Sequence, residues 1–506
     1  MLSPATARRR WRDRIREHPL AFATLAASLA VVIARVPFLT LPATPDEGGF
    51  LLVASQWHRG DSLYGDHWVD RPPLIIAIHA LAGQLGGTTA LRVIGMVCAV
   101  AVVAMAAVLT HMAAREDRSA TVTRIFPVPL AAVLVSTPLF GASEVPGELL
   151  TAPFVLGGVL ALLAASRRTG RPALVWSALA GVLAVAAVGV KQNAVDGVVA
   201  AVLVALPLLR RYGVRFVLGL AAAFSAGAVA FLAAGLGAAA WRGTDLSGLW
   251  DAVVSFRVEA SRVIDASAPP AVSGRAVNLF GAFVLSLLPV VLLALLWRVR
   301  HPLAGRLDPD RPREWVDLRY LGVGLLAWEG IGIVLGGSYW LHYLLLLVPG
   351  SVVLAAASAQ RPASRRADRA LAVSLGLALV SLVVAHASSD GMGPARTADA
   401  RPIAYLRANA APGDTATVAF GHPDILWESG LDSPYRELWS LPVRVRDSKL
   451  ARFTSLLESE RAPTWIVVHG DSLRTWGVET DQAQRVLERR YAVAAVLGDW
   501  RIWRLR

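Results

Sequence analysis

The sequence predicts an α-helical polytopic membrane protein of about 11 spans with a small C-terminal α/β domain outside the membrane. Three observations predict it. Of 506 residues, 55% are hydrophobic and only 17% charged, with mean hydropathy +0.51, whereas a soluble chain is about a quarter charged. The apolar residues gather in runs of spanning length, at roughly 19–41, 89–112, 125–142, 149–166, 172–190, 194–209, 216–241, 276–297, 319–337, 339–358 and 370–387. Lys and Arg are unequally shared between alternate loops, 25 on the N-terminal side against 7 on the other. The net charge of +13 is scattered between these runs, so a lipid bilayer, and no nucleic acid, is the expected partner.

The first run follows Arg8, Arg9, Arg10, Arg12, Arg14 and Arg16. It is too long for a signal-peptide core and more spans follow, so it reads as an uncleaved anchor. The same side collects Arg115, Arg118 and Arg124, then Arg167, Arg168 and Arg171, Arg210, Arg211 and Arg215, and ten more between Arg298 and Arg369. That excess makes the N-terminus cytoplasmic. An odd number of spans then puts everything after about residue 388 outside, in a bacterial cytoplasmic (inner) membrane. The single Cys98 excludes a disulfide framework and a Cys-based metal site. Only Lys191 and Lys449 stand against 48 Arg, the bias of a GC-rich genome, which makes a lysine at a membrane boundary stand out.

Residues 1–388 form the expected transmembrane domain, with a first outer loop over 42–88. It opens Thr44-Pro45-Asp46-Glu47. Thr44 with Glu47 three residues on, and Pro45 at the first helical position, is a capping box starting a helix on the membrane surface. If the Glu47 carboxylate folds back on the Thr44 amide, Asp46 points away from the cap. There it is suited to take a proton from an acceptor or to hold a divalent cation. Farther on, Arg71 precedes Pro72 and Pro73. A residue before proline is held out of the α region, so this guanidinium is presented from extended backbone, in a geometry for a lipid phosphate or for plain snorkelling. Residues 74–86 read as a second amphipathic or re-entrant helix.

Glu144 and Glu148 fall in the next short outer loop, one helical face apart if the stretch is helical. Lys191 ends the fifth span, followed by Gln192, Asn193 and Asp196. A Lys191–Asp196 pair is its structural explanation, and phosphate binding its functional one. Glu329 lies inside the ninth span, about 12 Å from its outer end at about 1.5 Å per residue, and an acid there is a functional candidate. His342 and Tyr343 open the tenth span, as interfacial residues or as phosphate ligands. Residues 389–506 alternate strand and helix patterns, with strands near 415–420, 465–469, 491–497 and 501–506 and helices near 402–410, 448–459 and 480–489, the mark of a layered α/β fold. Trp427, Trp439, Trp465 and Trp476 in this domain read as core rings, or as platforms for sugar.

An acidic pair just after the first span, Asp46-Glu47, followed by Arg71-Pro72-Pro73-Leu74, resembles the GT-C glycosyltransferases, in particular the aminoarabinose-transferase and protein-O-mannosyltransferase-like group. Gly147-Glu148-Leu149-Leu150, Val190-Lys191-Gln192 and His342-Tyr343 with Pro349 also match, in order and on the expected side. The segment 419–427 looks like one found in bacterial members. Arg71 departs from the pattern, since many relatives carry Lys there, and either Glu144 or Glu148 fills the second acidic position.

The resemblance implies a GT-C-like catalytic domain that transfers a hexosyl or pentosyl group from a polyprenyl-phosphate sugar to an extracytoplasmic acceptor, a cell-wall glycan, lipid or protein. Asp46, Glu47 and Glu148 are then the expected catalytic acids, Asp46 as base or metal ligand. Arg71, Lys191, His342 and Tyr343 are expected to hold the donor phosphate, with Glu144 and Glu329 as further candidates. The cofactor stays open: the candidate is a divalent cation, magnesium or manganese, and Asp46 is its ligand if the site holds one. A secondary transporter or lipid flippase, or a silent relative that binds an envelope polymer, are the alternatives. A transporter needs polar groups near the bilayer midplane, and here only Glu329 meets that.

Overall fold

The computed structural model describes residues 17–114, 121–267, 269–301, 316–388, 394–475 and 477–506. The arginines at 8, 9, 10, 12, 14, 16, 115, 118, 306, 311 and 313, which enter the sidedness count, lie outside the described residues, as does Trp476. Among the described residues, eight helices are long and apolar enough to cross a membrane, or nine if a pair bent by 55° is one span. They make this a multi-pass membrane protein. The chain divides into two compact units.

The first unit takes residues up to Pro37, then Gly95–Leu232 and Arg275–Ser388. It holds α1 (Pro19–Arg35), most of α4 (Thr88–Ala113), α5 (Pro127–Ser136), α6 (Gly147–Ser166) and α7 (Gly170–Val190). Most of α8 (Asp196–Trp241), then α9 (Pro269–Leu285, largely), α10 (Leu288–Arg298), α11 (Leu318–Leu335), α12 (Leu347–Ala357) and α13 (Arg365–Ser388) complete it. On α1, Leu25, Leu29 and Ile33 remain exposed at four-residue spacing while Val31 is buried, the stripe of a helix with one face towards lipid. The expected runs at 194–209 and 216–241 are continuous in α8, broken in geometry only at Gly213 (φ 79°). The run 125–142 is a different object. Only ten residues of it form α5, and nine of those ten are buried, so it is apolar on every side because protein surrounds it, not because it spans alone.

The second unit takes Phe38–Ile94, Ala233–Gly274 and Ser389–Arg506. It holds the first-loop helices α2 (Pro45–Gln56) and α3 (Pro73–Leu85), together with α14 (Pro394–Asn409), α15 (Pro423–Ser429), α16 (Ala451–Glu458) and α17 (Asp481–Arg490). Its sheet has strands β1 (Ala416–Ala419), β2 (Trp465–His469), β3 (Tyr491–Leu497) and β4 (Trp500–Leu505), in the order β1-β2-β4-β3. β1 and β2 are parallel, and β2–β4 and β3–β4 antiparallel. A parallel pair needs a crossover, supplied by the residues between Phe420 and Thr464. β3 and β4 are joined by the two-residue turn Gly498-Asp499 with Leu497 opposite Trp500. Phe453, Ile466, Val468, Leu487 and Tyr491 close the core beneath the sheet, so this part folds around aliphatic and aromatic side chains without cysteine.

α2 lies against α15 through two glycines. A Cβ at Gly48 would meet the Asp424 Cα at 2.5 Å, a distance at which one backbone must move. Gly48→Ala is therefore expected to destabilise the protein by about 1–3 kcal/mol, read as a lowered unfolding midpoint in detergent. An unchanged midpoint would mean that the two helices separate without cost.

Candidate active-site residues

The second unit carries the first-loop residues. The α2 capping box forms as expected. Thr44 Oγ1 accepts from the Glu47 amide at 3.4 Å, and Glu47 Oε2 accepts from the Thr44 amide at 2.9 Å. Glu47, expected among the catalytic acids, is buried and committed further. Arg92 donates to its Oε2 from Nη2 at 2.8 Å and to its Oε1 from Nε at 3.3 Å. Arg92 also ties down the chain entering the helix, donating to the Phe38 and Pro42 carbonyls. Asp46 is exposed. Its Oδ1 accepts from Trp439 Nε1 at 3.1 Å, and the Trp439 ring packs on Phe50 of the same helix, centroids 5.3 Å apart. The adjacent acids are thus divided in role, with Glu47 holding the helix start and Asp46 exposed beside the Trp439 donor.

Arg71 ion-pairs with Asp70 at 2.8 Å, and Asp70 also takes Arg257 at 2.6 Å. Tyr64 donates its hydroxyl to the Arg71 carbonyl at 2.9 Å, fixing the backbone before Pro72. Two guanidinium groups thus share the Asp70 carboxylate. Burial opposes ionisation of Asp70, but Arg257 and Arg71 outweigh it and hold the carboxyl below the ordinary carboxylate range. The stability this gives is present at neutral pH and lost as pH falls through that depressed value.

Three of these groups escape the sequence reading as site residues. Trp439 lies far along the chain from Asp46 and nothing local marks it as a donor. Asp70 sits beside Arg71 but reads as one more loop acid. His79 is fully buried in α3, its Nδ1 donating to the Ile75 carbonyl at 2.8 Å. Burial pushes its pKa down to about 4, with the Ile75 carbonyl and Glu47 offsetting only part. The folded imidazole therefore stays neutral between about pH 6.5 and 4 while the unfolded one charges. Stability is expected to fall across that window on acidification, by on the order of 3 kcal/mol in all. Unfolding midpoints against pH, with a flatter profile for His79→Phe, check it.

The first unit carries the remaining candidates. Glu148 occupies the first turn of α6, where a helix start favours an anion. Lys191 follows the last residue of α7 in extended backbone and donates to Glu148 Oε1. Both are buried, at 2% and 8% exposure. The partner is Glu148 and not Asp196, the structural alternative that the sequence offers beside phosphate binding. The ammonium also lies 4.8 Å from the centre of the Tyr343 ring. His342 Nδ1 is 3.0 Å from Glu144 Oε1, and its Nε2 is 4.0 Å from Glu148 Oε1. Gly141 (φ 77°) makes room, since a Cβ there would meet Glu144 Oε1 at 3.1 Å and His342 Cβ at 3.2 Å. Five of the predicted residues, Glu144, Glu148, Lys191, His342 and Tyr343, therefore form one network. Its cations are not ranged apart from its acids. They interleave with them.

Glu329 does not join it. Its Oε1 accepts from the Gly350 amide at 2.8 Å, and Oε2 is buried with no hydrogen-bond partner among the described residues. This joins α11 to α12 inside the apolar layer, a polar contact between membrane helices. Arg35, the last residue of α1, donates to the Val135 carbonyl at 2.7 Å. Of the outer tryptophans, Trp427 donates to Thr88 at 3.0 Å and the fully buried Trp465 to Asp414 at 2.9 Å.

No protein-family model matches the sequence, and no curated protein matches it. The fold does have counterparts. The crystal structure of ArnT from Cupriavidus metallidurans in the apo state is similar with a TM-score of 0.59 at 12% identity, over 96% of this chain and 98% of that one. The same protein bound to undecaprenyl phosphate gives 0.57 at 13% identity over the same shares. At such identities the likeness concerns the fold alone, and this chain shares the fold of ArnT.

Proposed function

We propose that this protein is a glycosyltransferase that moves a sugar from a polyprenyl-phosphate carrier to an extracytoplasmic acceptor. The observation that carries it is the Lys191 network, a buried ammonium at the end of a membrane helix, within a fold whose ArnT counterpart binds undecaprenyl phosphate. Asp46 is the general base. Its exposed carboxylate, oriented by Trp439, takes the proton from an acceptor O–H or N–H as that atom attacks the anomeric carbon. The bond between the sugar and the carrier phosphate breaks with inversion, and the phosphate leaves with the electron pair. The charge on the departing phosphate calls for a cation, the role that the motifs imply for Arg71 and for Lys191.

Glu148 keeps Lys191 charged and in place, His342 and Glu144 brace Glu148, and Glu47 maintains the helix from which Asp46 projects. Among the described residues, one group of three His, Asp or Glu side chains converges closely enough for a metal, Asp399, His422 and Asp424. Asp46 is not one of them. The arginine asymmetry of the loops supports a cytoplasmic N-terminus and an extracytoplasmic C-terminal domain.

Mass spectrometry of lipids retained by the gently purified protein tests the proposal. Wild type is expected to hold polyprenyl phosphate or its glycosylated form, and Arg71→Ala and Lys191→Ala to lose it. Bulk phospholipid alone in all three samples would remove the donor-site assignment. The transporter alternative draws on Glu329, and substrate flux without sugar transfer in reconstituted vesicles would favour it.

A further inference from the structure

The outer part of the second unit contains a cluster that sugar transfer does not use. α14 carries Asp399, which is 5% exposed, His422 caps the start of α15, and Asp424, 3% exposed, lies in the first turn of that helix. His422 Nδ1 lies 3.0 Å from Asp399 Oδ2. One ligand atom from each of the three residues lies within 4.8 Å of the others. Asp424 Oδ1 is buried with no hydrogen-bond partner among the described residues, a costly state for a carboxylate oxygen unless something else satisfies it. Among the described residues, neither carboxylate has an ion pair with Lys or Arg. Two buried acids and an imidazole thus share a pocket in which, among the described residues, neither acid meets a Lys or Arg and His422 is the group facing Asp399.

We infer that Asp399, His422 and Asp424 form a structural site for a first-row divalent metal ion, with Zn2+ the ion it fits best. One imidazole nitrogen and two carboxylate oxygens are a donor set for zinc, whereas magnesium and calcium prefer oxygen alone. A tetrahedral ion with bonds of about 2.0–2.2 Å needs ligand atoms about 3.4 Å apart, so small side-chain rotations suffice, and a water completes the set. The Trp500 ring stands edge-on to the His422 ring, centroids 5.3 Å apart, and is 2% exposed, giving the ion an apolar wall that strengthens its ligand bonds.

The site has a mechanical consequence. It ties α14 to the first turn of α15, and the Asp424 backbone is the surface on which Gly48 of α2 rests. The metal therefore fixes the seat of the helix that carries Asp46, without touching the reacting atoms. The inference stands independently of the transfer reaction.

The test uses the full-length protein in detergent, stripped with a chelator and then titrated with Zn2+ or Mg2+. Wild type is expected to bind one Zn2+ per chain by elemental analysis after removal of excess, and Mg2+ at least tenfold more weakly. Asp424→Asn and His422→Gln are expected to bind Zn2+ at least tenfold more weakly than wild type. Stripping should lower the wild-type unfolding midpoint by several degrees and Zn2+ restore it, as for any ligand bound only by the folded state. The cycle needs no mutant and decides the matter if the variants do not fold. A wild-type midpoint indifferent to chelator and Zn2+, equal binding by the variants, or equal affinity for Mg2+ would each overturn the inference.

Discussion

Asp46→Asn is expected to lower turnover of a polyprenyl-phosphate sugar by about 10²–10⁴-fold, the usual contribution of a positioned general base. Lipid retention and unfolding midpoint should be unchanged. The asparagine side-chain oxygen still accepts the Trp439 Nε1–H that Asp46 Oδ1 accepts at 3.1 Å, so the helix and the ring stay in place and only basicity is lost. The neighbouring acid supplies the contrast. Glu47→Gln removes the charge that faces Arg92 in a pair exposed by only 2% and 3%, and breaking one side of a buried pair costs about 3–5 kcal/mol. That variant should fail in folding before it fails in chemistry. Trp439→Phe keeps the packing on Phe50 but drops the donor, so it should lower turnover without shifting the midpoint. Wild-type activity of a folded Asp46→Asn protein would instead favour the silent, polymer-binding alternative.

How far the sequence foretells this arrangement depends on the range of the interaction. Local signals read well. The capping box of Thr44 and Glu47 is written within four residues, and its geometry is present. β2 and β3 occupy the stretches expected from alternation and β-branched content, and β1 and β4 differ from expectation by one residue at either end. The short helices at Pro423–Ser429 and Ser440–Arg446 go unread because each has only seven residues, too few for a helical period to emerge. Hydropathy reads 125–142 as a run of spanning length because it measures apolarity and not what supplies the apolar surroundings, and the buried α5 satisfies it equally.

Pairing is the least legible level. Lys191 has an acid five residues ahead, Asp196, and sequence proximity favours that pair. The structure chooses Glu148, 43 positions away, because extended backbone at Lys191 turns its side chain from α8 towards the start of α6. Likewise, the GT-C resemblance singles out Arg71 but not Asp70 or Arg257, whose charges decide how much of the Arg71 field is left for a phosphate.

Lys191 carries the second large prediction. Its ammonium and the Glu148 carboxylate are buried together, so Lys191→Met strands an acid in an apolar layer and should destabilise the protein by about 3–5 kcal/mol. Glu148→Gln strands the cation and should cost a similar amount. The double variant Lys191→Met with Glu148→Gln removes both charges, and most of the stability should return, because a neutral pair of similar volume needs no mutual solvation. Polyprenyl phosphate should not return with it. A purely structural Lys191 makes the opposite forecast, with lipid retention recovering alongside the midpoint. Unfolding midpoints and retained lipid measured on the same four preparations separate the two. If the double variant holds the carrier as wild type does, the phosphate belongs to Arg71 alone and the Lys191 network is scaffold. Loss of the carrier at restored stability assigns the buried ammonium to the leaving phosphate, with Glu148 the counter-ion that keeps it charged between turnovers.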